Sequence, residues 1–397
     1  MGTYGYLLDI ALILISTKVL GIVTKKFHLP QVVGALLAGI ILGPAVLNVL
    51  RETNFLMQLS EIGVIVLMFS AGLEADLQEL RKTGKASVII ALFGVIVPLI
   101  GGFLVGYIFN KDSIITSDAS ASIFLQNIFI GIILTATSVS ITVEALKEMK
   151  KLNTPAGNAI LGAAIIDDIL GIVALTIITS LKDSDISIVT VLLKIVAFFI
   201  CSLLAGTVFY KLMKYLMNRY HRDMRRFVIL AFTFCLLMAY CAEEFFGVAD
   251  ITGAFIAGLI ISNTERTRYI SERFEVMSYA FLSPIFFASI GLKIVLPTMS
   301  FGIVMFAVVL TIIAVLTKIV GCGFGSKLCG YTNRESLQIG SGMVSRGEVA
   351  LIVASKGQAL GLMSTAMLGP IIIVVVITTI IAPILLQMCF NEKELSH

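Results

Sequence analysis

The plainest chemistry in this chain belongs to Asp167 and Asp168. These two adjacent carboxylates lie in Gly162-Ala-Ala-Ile-Ile-Asp-Asp-Ile-Leu-Gly171, inside an apolar run of membrane-spanning length. An ionised carboxylate at the centre of a bilayer costs about 2.5 kcal/mol or more even on lenient insertion scales, so its default reading is ion or proton handling. Neighbouring residues on a helix point about 100° apart, so the two carboxylates cannot share one partner. One can face a buried cation while the other faces a water-filled cavity.

Lys318 is the cationic counterpart. It sits in Ile312-Ile-Ala-Val-Leu-Thr-Lys-Ile-Val-Gly321, nine residues before the next charge, Lys327, and so roughly 13 Å inside a helix. Snorkelling from that depth is strained, and a buried acceptor is the alternative. A lysine and a carboxylate paired in low dielectric titrate as a coupled unit that a competing cation can switch. Two further stretches carry polarity at membrane depth. Thr135, Thr137, Ser138, Ser140 and Thr142 line one span without a charge to explain them, and Ser341-Gly-Met-Val-Ser-Arg346-Gly347-Glu348 breaks another with glycines, an Arg and a Glu. Interrupted polar spans are how a discontinuous helix reads in sequence, although interhelical hydrogen bonding accounts for hydroxyls alone.

The elements that hold these groups follow from composition. With 58% hydrophobic and 14% charged residues and a mean hydropathy of +1.02, the chain is an all-α polytopic membrane protein rather than a soluble one. Long apolar runs without period-two alternation argue against a β-barrel. The six cysteines show no CxxC spacing, so neither a metal site nor a disulfide framework is expected. Windows of about 19 residues give roughly thirteen spans: 4–24, 30–50, 55–76, 86–109, 121–146, 156–181, 187–215, 226–245, 247–263, 277–296, 300–325, 336–358 and 364–390. The first lacks a basic n-region and a cleavage site and reads as a retained helix.

Lys and Arg gather in loops after odd-numbered spans, from Lys25 and Lys26 to Lys327 and Arg334, and are sparse after even-numbered ones. The positive-inside rule then places the N-terminus outside and the C-terminus in the cytoplasm of a multi-pass plasma-membrane protein. The net charge of +4 therefore reads as topology, with anionic membrane lipid as a secondary partner and no nucleic acid. An internal repeat is visible. Residues 31–44 align with 250–263 and 69–73 with 288–292, so that Gly34 pairs with Gly253 and Gly72 with Gly291 at a shared offset of 219. Copies seven spans apart are inserted in opposite senses, the inverted-repeat plan of secondary transporters.

Ala136-Thr-Ser-Val-Ser-Ile-Thr142, Gly162 to Asp168, Leu316-Thr-Lys318 and Ser345-Arg-Gly-Glu-Val-Ala-Leu-Ile-Val353 together resemble the monovalent cation:proton antiporter superfamily, in its bacterial NapA-type sodium/proton branch. The resemblance runs over the whole chain. It implies an NhaA-like inverted-repeat fold with two crossed discontinuous helices and a homodimer. Core, ion-translocating helices would occupy about 86–181 and 300–390, and dimerisation or scaffold helices about 1–76 and 187–296. Carried over by motif, Asp168 is the main cation and proton carboxylate and Asp167 pairs with Lys318. Thr135, Thr137, Ser138 and Ser140 lie on one crossing segment, and Arg346 and Glu348 on the other. Asp168, Thr137 and Ser138 would supply oxygen ligands to the cation. The double Asp resembles electrogenic members.

The expectation is a secondary transporter, not an enzyme, with no cofactor beyond the transported cation and H+. Sodium, and next lithium, is the expected ion. A K+/H+ antiporter is the alternative; the chain ends seven residues after Phe390, without the nucleotide-binding regulatory domain of gated potassium-efflux relatives. A sodium-coupled organic-anion symporter would need a spare buried cation, and only Arg346 offers one. An intramembrane aspartyl protease would need aspartates on two facing helices. Glu61, Glu243 and Glu244 read as interfacial, and His28 and His221 as solvated loop residues.

Overall fold

A computed structural model describes residues 4–27, 29–111, 118–182, 188–219, 225–264, 266–294 and 300–391. His28 and His221 lie outside them. Among the described residues every regular element is helical: α1 (Gly5–Lys26), α2 (Gln31–Leu42), α3 (Asn54–Glu74), α4 (Leu77–Phe109), α5 (Ile123–Thr135), α6 (Val139–Glu148), α7 (Pro155–Lys182), α8 (Ile188–Arg219), α9 (Arg225–Phe246), α10 (Asp250–Ser262), α11 (Thr267–Met277), α12 (Ser283–Leu292), α13 (Phe301–Leu328), α14 (Asn333–Gly342), α15 (Glu348–Ala359) and α16 (Leu368–Asn391). A π-helical turn, Ser278–Leu282, joins α11 to α12. Among the described residues, ten helical segments are long and apolar enough to cross a membrane, and α2, α10 and the body of α15 are shorter apolar helices.

Several boundaries differ from the hydropathy windows, for local reasons. α4 starts at Leu77 because the Asp76 carboxylate accepts hydrogen bonds from the Gln78 and Glu79 amides at 2.8 and 3.3 Å. Arg81, Lys82 and Lys85 therefore lie on its first turns rather than in a loop. α14 starts at Asn333 through a reciprocal capping box between Thr332 and Glu335. α11 carries Arg268 and Arg273 as helical residues, and its apolar positions Ile270 and Phe274 are buried.

The helices pack in two groups. α1, α2 and α3 pack with α9 to α12; α4, α5 and α7 pack with α13 to α16. α6 touches both, meeting α2 and α3 on one side and α7 and α16 on the other, while α8 lies against α7, α9 and α10. In the first group close approach depends on glycine. A Cβ on Gly39 of α2 would collide with the backbone of Ala288 on α12, and one on Gly291 of α12 with the backbone of Gly39 and Ile40. Gly72 of α3 and Gly258 of α10 stand in the same relation, each against the other helix's backbone. Backbone-to-backbone packing of this kind gains dispersion without a hydrophobic driving force in the membrane.

Candidate ion-binding site

Two polypeptide breaks face each other within the second group. The first separates α5 from α6, where Ser and Thr side chains compete for backbone hydrogen bonds and Ser138 adopts an extended conformation. The second separates α14 from α15, between Gly342 and Gly347. Backbone groups freed at each break are satisfied by the other. The Ser138 amide donates to Ser345 O at 2.8 Å, and the Ser345 hydroxyl donates to Ser138 O at 2.7 Å. Thr142 completes the seam, donating to Gly342 O at 2.6 Å with its oxygen 2.8 Å from Ser345 Oγ. A Cβ on Gly347 would sit 2.7 Å from Ser138 Oγ, so a larger residue here would have to displace that hydroxyl.

Arg346, wholly buried, anchors the seam. It donates to Val344 O at 3.0 Å, to Leu134 O at 2.7 Å near the C-terminus of α5, and to Ala314 O at 3.1 Å on α13. A cation thus joins a carbonyl at the C-terminal end of α5, one in the second break and one in the middle of α13. Thr379 of α16 donates to the Arg346 carbonyl.

The charged pair lies beside this seam. Lys318 Nζ on α13 is 3.1 Å from Asp167 Oδ1 and 3.2 Å from Oδ2 on α7, with side-chain exposures of 0% and 1%. The Thr137 hydroxyl also approaches the Asp167 carboxyl. Asp168 is half-buried on the adjacent position of α7. Asp167, Lys318, Thr137, Ser138 and Arg346 are drawn to the two breaks. Ser138 and Ser140 hydroxyls lie 3.2 Å apart, whereas Thr135 is turned back onto Ile132 O at 2.7 Å and Ser341 points to Cys389 of α16. Glu348 opens α15, and its side chain lies outside the described set. Glu61, Glu243 and Glu244 are exposed.

Four residues near the pair and the breaks were missed. Gly94 of α4 abuts the pair: its Cβ would lie 2.7 Å from Cys322 Sγ and 3.7 Å from both Asp167 Oδ1 and Lys318 Nζ. Pro98, four residues on, has no amide for the Gly94 carbonyl, and Pro383 does the same to Thr379. Proline four residues after a Gly or Thr within an apolar span was the signal available. Cys322 carried none.

A cavity of about 780 Å³ opens on one side of α6, lined by Glu74, Glu144, Lys147, Glu148 and Lys25 among others. Two polar ties cross it. The Gln31 amide at the start of α2 donates to Glu148 Oε2 at 2.6 Å, and Lys147 pairs with Glu74 of α3 at 3.0 Å. Beyond the breaks, Leu36, Ile40 and Ile290 of the first group close against Leu351, Ile372 and Val375 of the second, leaving only about 10 Å³.

Residues 11–392 match the family model described as sodium/hydrogen exchanger, transmembrane. The chain is 40% identical over 396 residues to the Na(+)/H(+)-K(+) antiporter GerN of Bacillus cereus, covering 98% of each chain. It is 35% identical over 388 residues to a Na(+)/H(+) antiporter of Enterococcus hirae, covering 97% of each. Its fold is similar to that of the sodium proton antiporter MjNhaP1 of Methanocaldococcus jannaschii, with a TM-score of 0.70 at 17% identity over 98% of this chain and 97% of that one. The buried carboxylate–lysine pair between broken helices and the full-length match to the family model lead to one conclusion: the chain is a polytopic membrane protein of the sodium/hydrogen exchanger family, a family of transporters rather than enzymes.

Proposed function

We propose that this protein exchanges Na+ for protons across the plasma membrane, electrogenically, by competition at Asp168. The observation that carries the reading is the Lys318–Asp167 pair, buried beside two helix breaks with a second carboxylate next to it on α7. A proton or a dehydrated cation occupies Asp168, with hydroxyl oxygens of Thr137 and Ser138 as further ligands. The bare Asp168 carboxylate does not cross the low-dielectric barrier, only the site loaded with a cation or a proton does, and this couples the two fluxes in opposite directions. Lys318 releases its own proton when the cation binds, and this adds charge to the cycle. The name of the 40%-identical relative, a Na(+)/H(+)-K(+) antiporter, favours K+ as a second transported ion.

The architecture that goes with this reading has thirteen spans, counting α5–α6, α11–α12 and α14–α15 as one broken span each, with the two breaks crossing. The reciprocal contacts support an inverted repeat: at the offset of 219, Gly39 corresponds to Gly258 and Gly72 to Gly291, so the Gly39–Gly291 and Gly72–Gly258 approaches are one contact seen twice. The group containing α4 to α7 and α13 to α16 is the moving core, and the group of α1 to α3 and α9 to α12 is the scaffold. The N-terminus lies outside, so the 780 Å³ vestibule faces the cytoplasm and the conformation is inward-facing. The apolar outer face of α1, with Leu8, Ile15 and Val19 exposed, suits a homodimer.

The test is purified protein in liposomes with an internal pH dye, given Na+, Li+, K+ or choline at clamped membrane potential. Cation-driven, voltage-sensitive proton movement is expected, and Asp168→Asn abolishes it. Intact exchange in Asp168→Asn would overturn the assignment.

A further inference from the structure

The boundary between α7 and the α8–α10 pair holds a cavity that ion exchange does not use. Its volume is about 430 Å³, and Ile165 and Ile169 of α7, Leu203 of α8, and Phe255 and Leu259 of α10 wall it. Gly84 of α4 leaves part of it open, for nothing lies within 4 Å of the position its Cβ would take. A second cavity of about 270 Å³ shares Leu203 and Asn263 with the first and adds Tyr210 and Lys211. The result is an apolar slot that ends in an amide, a phenol and an ammonium.

Water gains no partners in an apolar cavity, and the medium beside this slot in a membrane is hydrocarbon. Its polar mouth is basic: Lys211 is exposed there, and the sequence that follows is rich in Lys and Arg. In the orientation given above, that mouth lies in the cytoplasmic leaflet, whose negative surface attracts such groups.

We propose that the slot seats one acyl chain of an anionic phospholipid of the cytoplasmic leaflet, its headgroup held by Lys211 with Tyr210 and Asn263. The proposal rests on the orientation and core–scaffold division stated under the function. The lipid lies on the surface along which α7, with both aspartates, moves past α8 and α10, so its occupancy bears on the cycle without touching the ion.

The experiment is native mass spectrometry of delipidated full-length protein titrated with dioleoyl phosphatidylglycerol or dioleoyl phosphatidylcholine. One retained phosphatidylglycerol per chain is expected, in preference to phosphatidylcholine. Gly84→Phe fills the slot and lowers retention at least tenfold. Lys211→Glu reduces the preference for phosphatidylglycerol about fivefold or more, the effect of a charge near an anionic headgroup. Lys214→Glu, outside the cavities, does not. Leu259→Trp repeats the filling from α10 if Gly84→Phe folds poorly. Wild-type retention in both filled variants, or equal effects of the two lysine reversals, would overturn the proposal. Proton movement measured on the same preparations keeps the two readings apart: exchange without lipid retention sinks only the lipid site, and retention without exchange sinks only the antiport.

Discussion

Lys318 Nζ bridges both carboxylate oxygens of Asp167, at 3.1 and 3.2 Å, and so ties α13 to α7 with neither side chain reaching solvent. Such a pair stabilises little against an apolar substitute, but removing one partner strands a buried charge.

Lys318→Gln is accordingly expected to destabilise the protein by about 3–5 kcal/mol, while Lys318→Gln combined with Asp167→Asn recovers most of the loss. Thermal unfolding midpoints in detergent read this out. Exchange persists in Lys318→Gln with weaker voltage dependence. A single variant as stable as the wild type would show that the pair is not held as described.

Gly94 sets how closely α4 approaches that pair. Gly94→Ala places a methyl 2.7 Å from Cys322 Sγ, an overpacking that costs about 1–3 kcal/mol. Cys322→Ala removes the obstructing sulfur, so the double variant should be more stable than the sum of the singles. A double-mutant cycle measures the coupling, and additivity would argue against the contact.

Glu148 caps α2 from a different helix group. Glu148→Ala should loosen the first turn of α2 by about 1 kcal/mol, raising hydrogen exchange at the Gln31 amide about fivefold. Lys147→Met breaks only a partly exposed pair and should leave that amide unchanged. Unaltered exchange in Glu148→Ala would remove the cap from the account.

Asp118 accepts from the Thr365 amide at 2.9 Å and from its hydroxyl at 2.6 Å, tying the connection before α5 to the one before α16. These bonds hold its pKa down to about 2, below the ordinary 3.8. A depressed carboxylate pKa adds stability above the ordinary value and loses it as pH falls towards the folded one. The Thr365 amide should therefore stay protected at pH 5 and lose protection between about 4 and 2. Asp118→Ala should abolish that pH dependence, which hydrogen exchange of the segment would detect.

Much of this molecule was legible in its residues. The apolar runs, the Gly repeat and the polar interruptions are local or periodic features, and a bilayer restricts the chain to helices that satisfy their own backbone. The depth of Lys318 demanded a buried acceptor, and charge and depth pointed to Asp167 and Asp168 alike; the choice of Asp167 came from the family resemblance. What lay out of reach depends on orientation about a helix axis. Thr135 and Ser341 share the composition of the seam residues but turn away, one to Ile132 and the other to Cys389. Gly94 and Cys322 acquire meaning only because α4 and α13 cross at their level.

By itself, then, the sequence determined that the chain spans a membrane in helices, where those helices break, and which charges must be buried, because burial cost and periodicity act along one segment at a time. Tertiary structure decided which oxygen faces which proton. It set Arg346 on the carbonyls of Leu134 and Ala314, Glu148 on the start of α2, and an apolar slot behind α7. Those pairings join residues distant in the chain, and their choice depends on packing between helix faces that no single segment encodes.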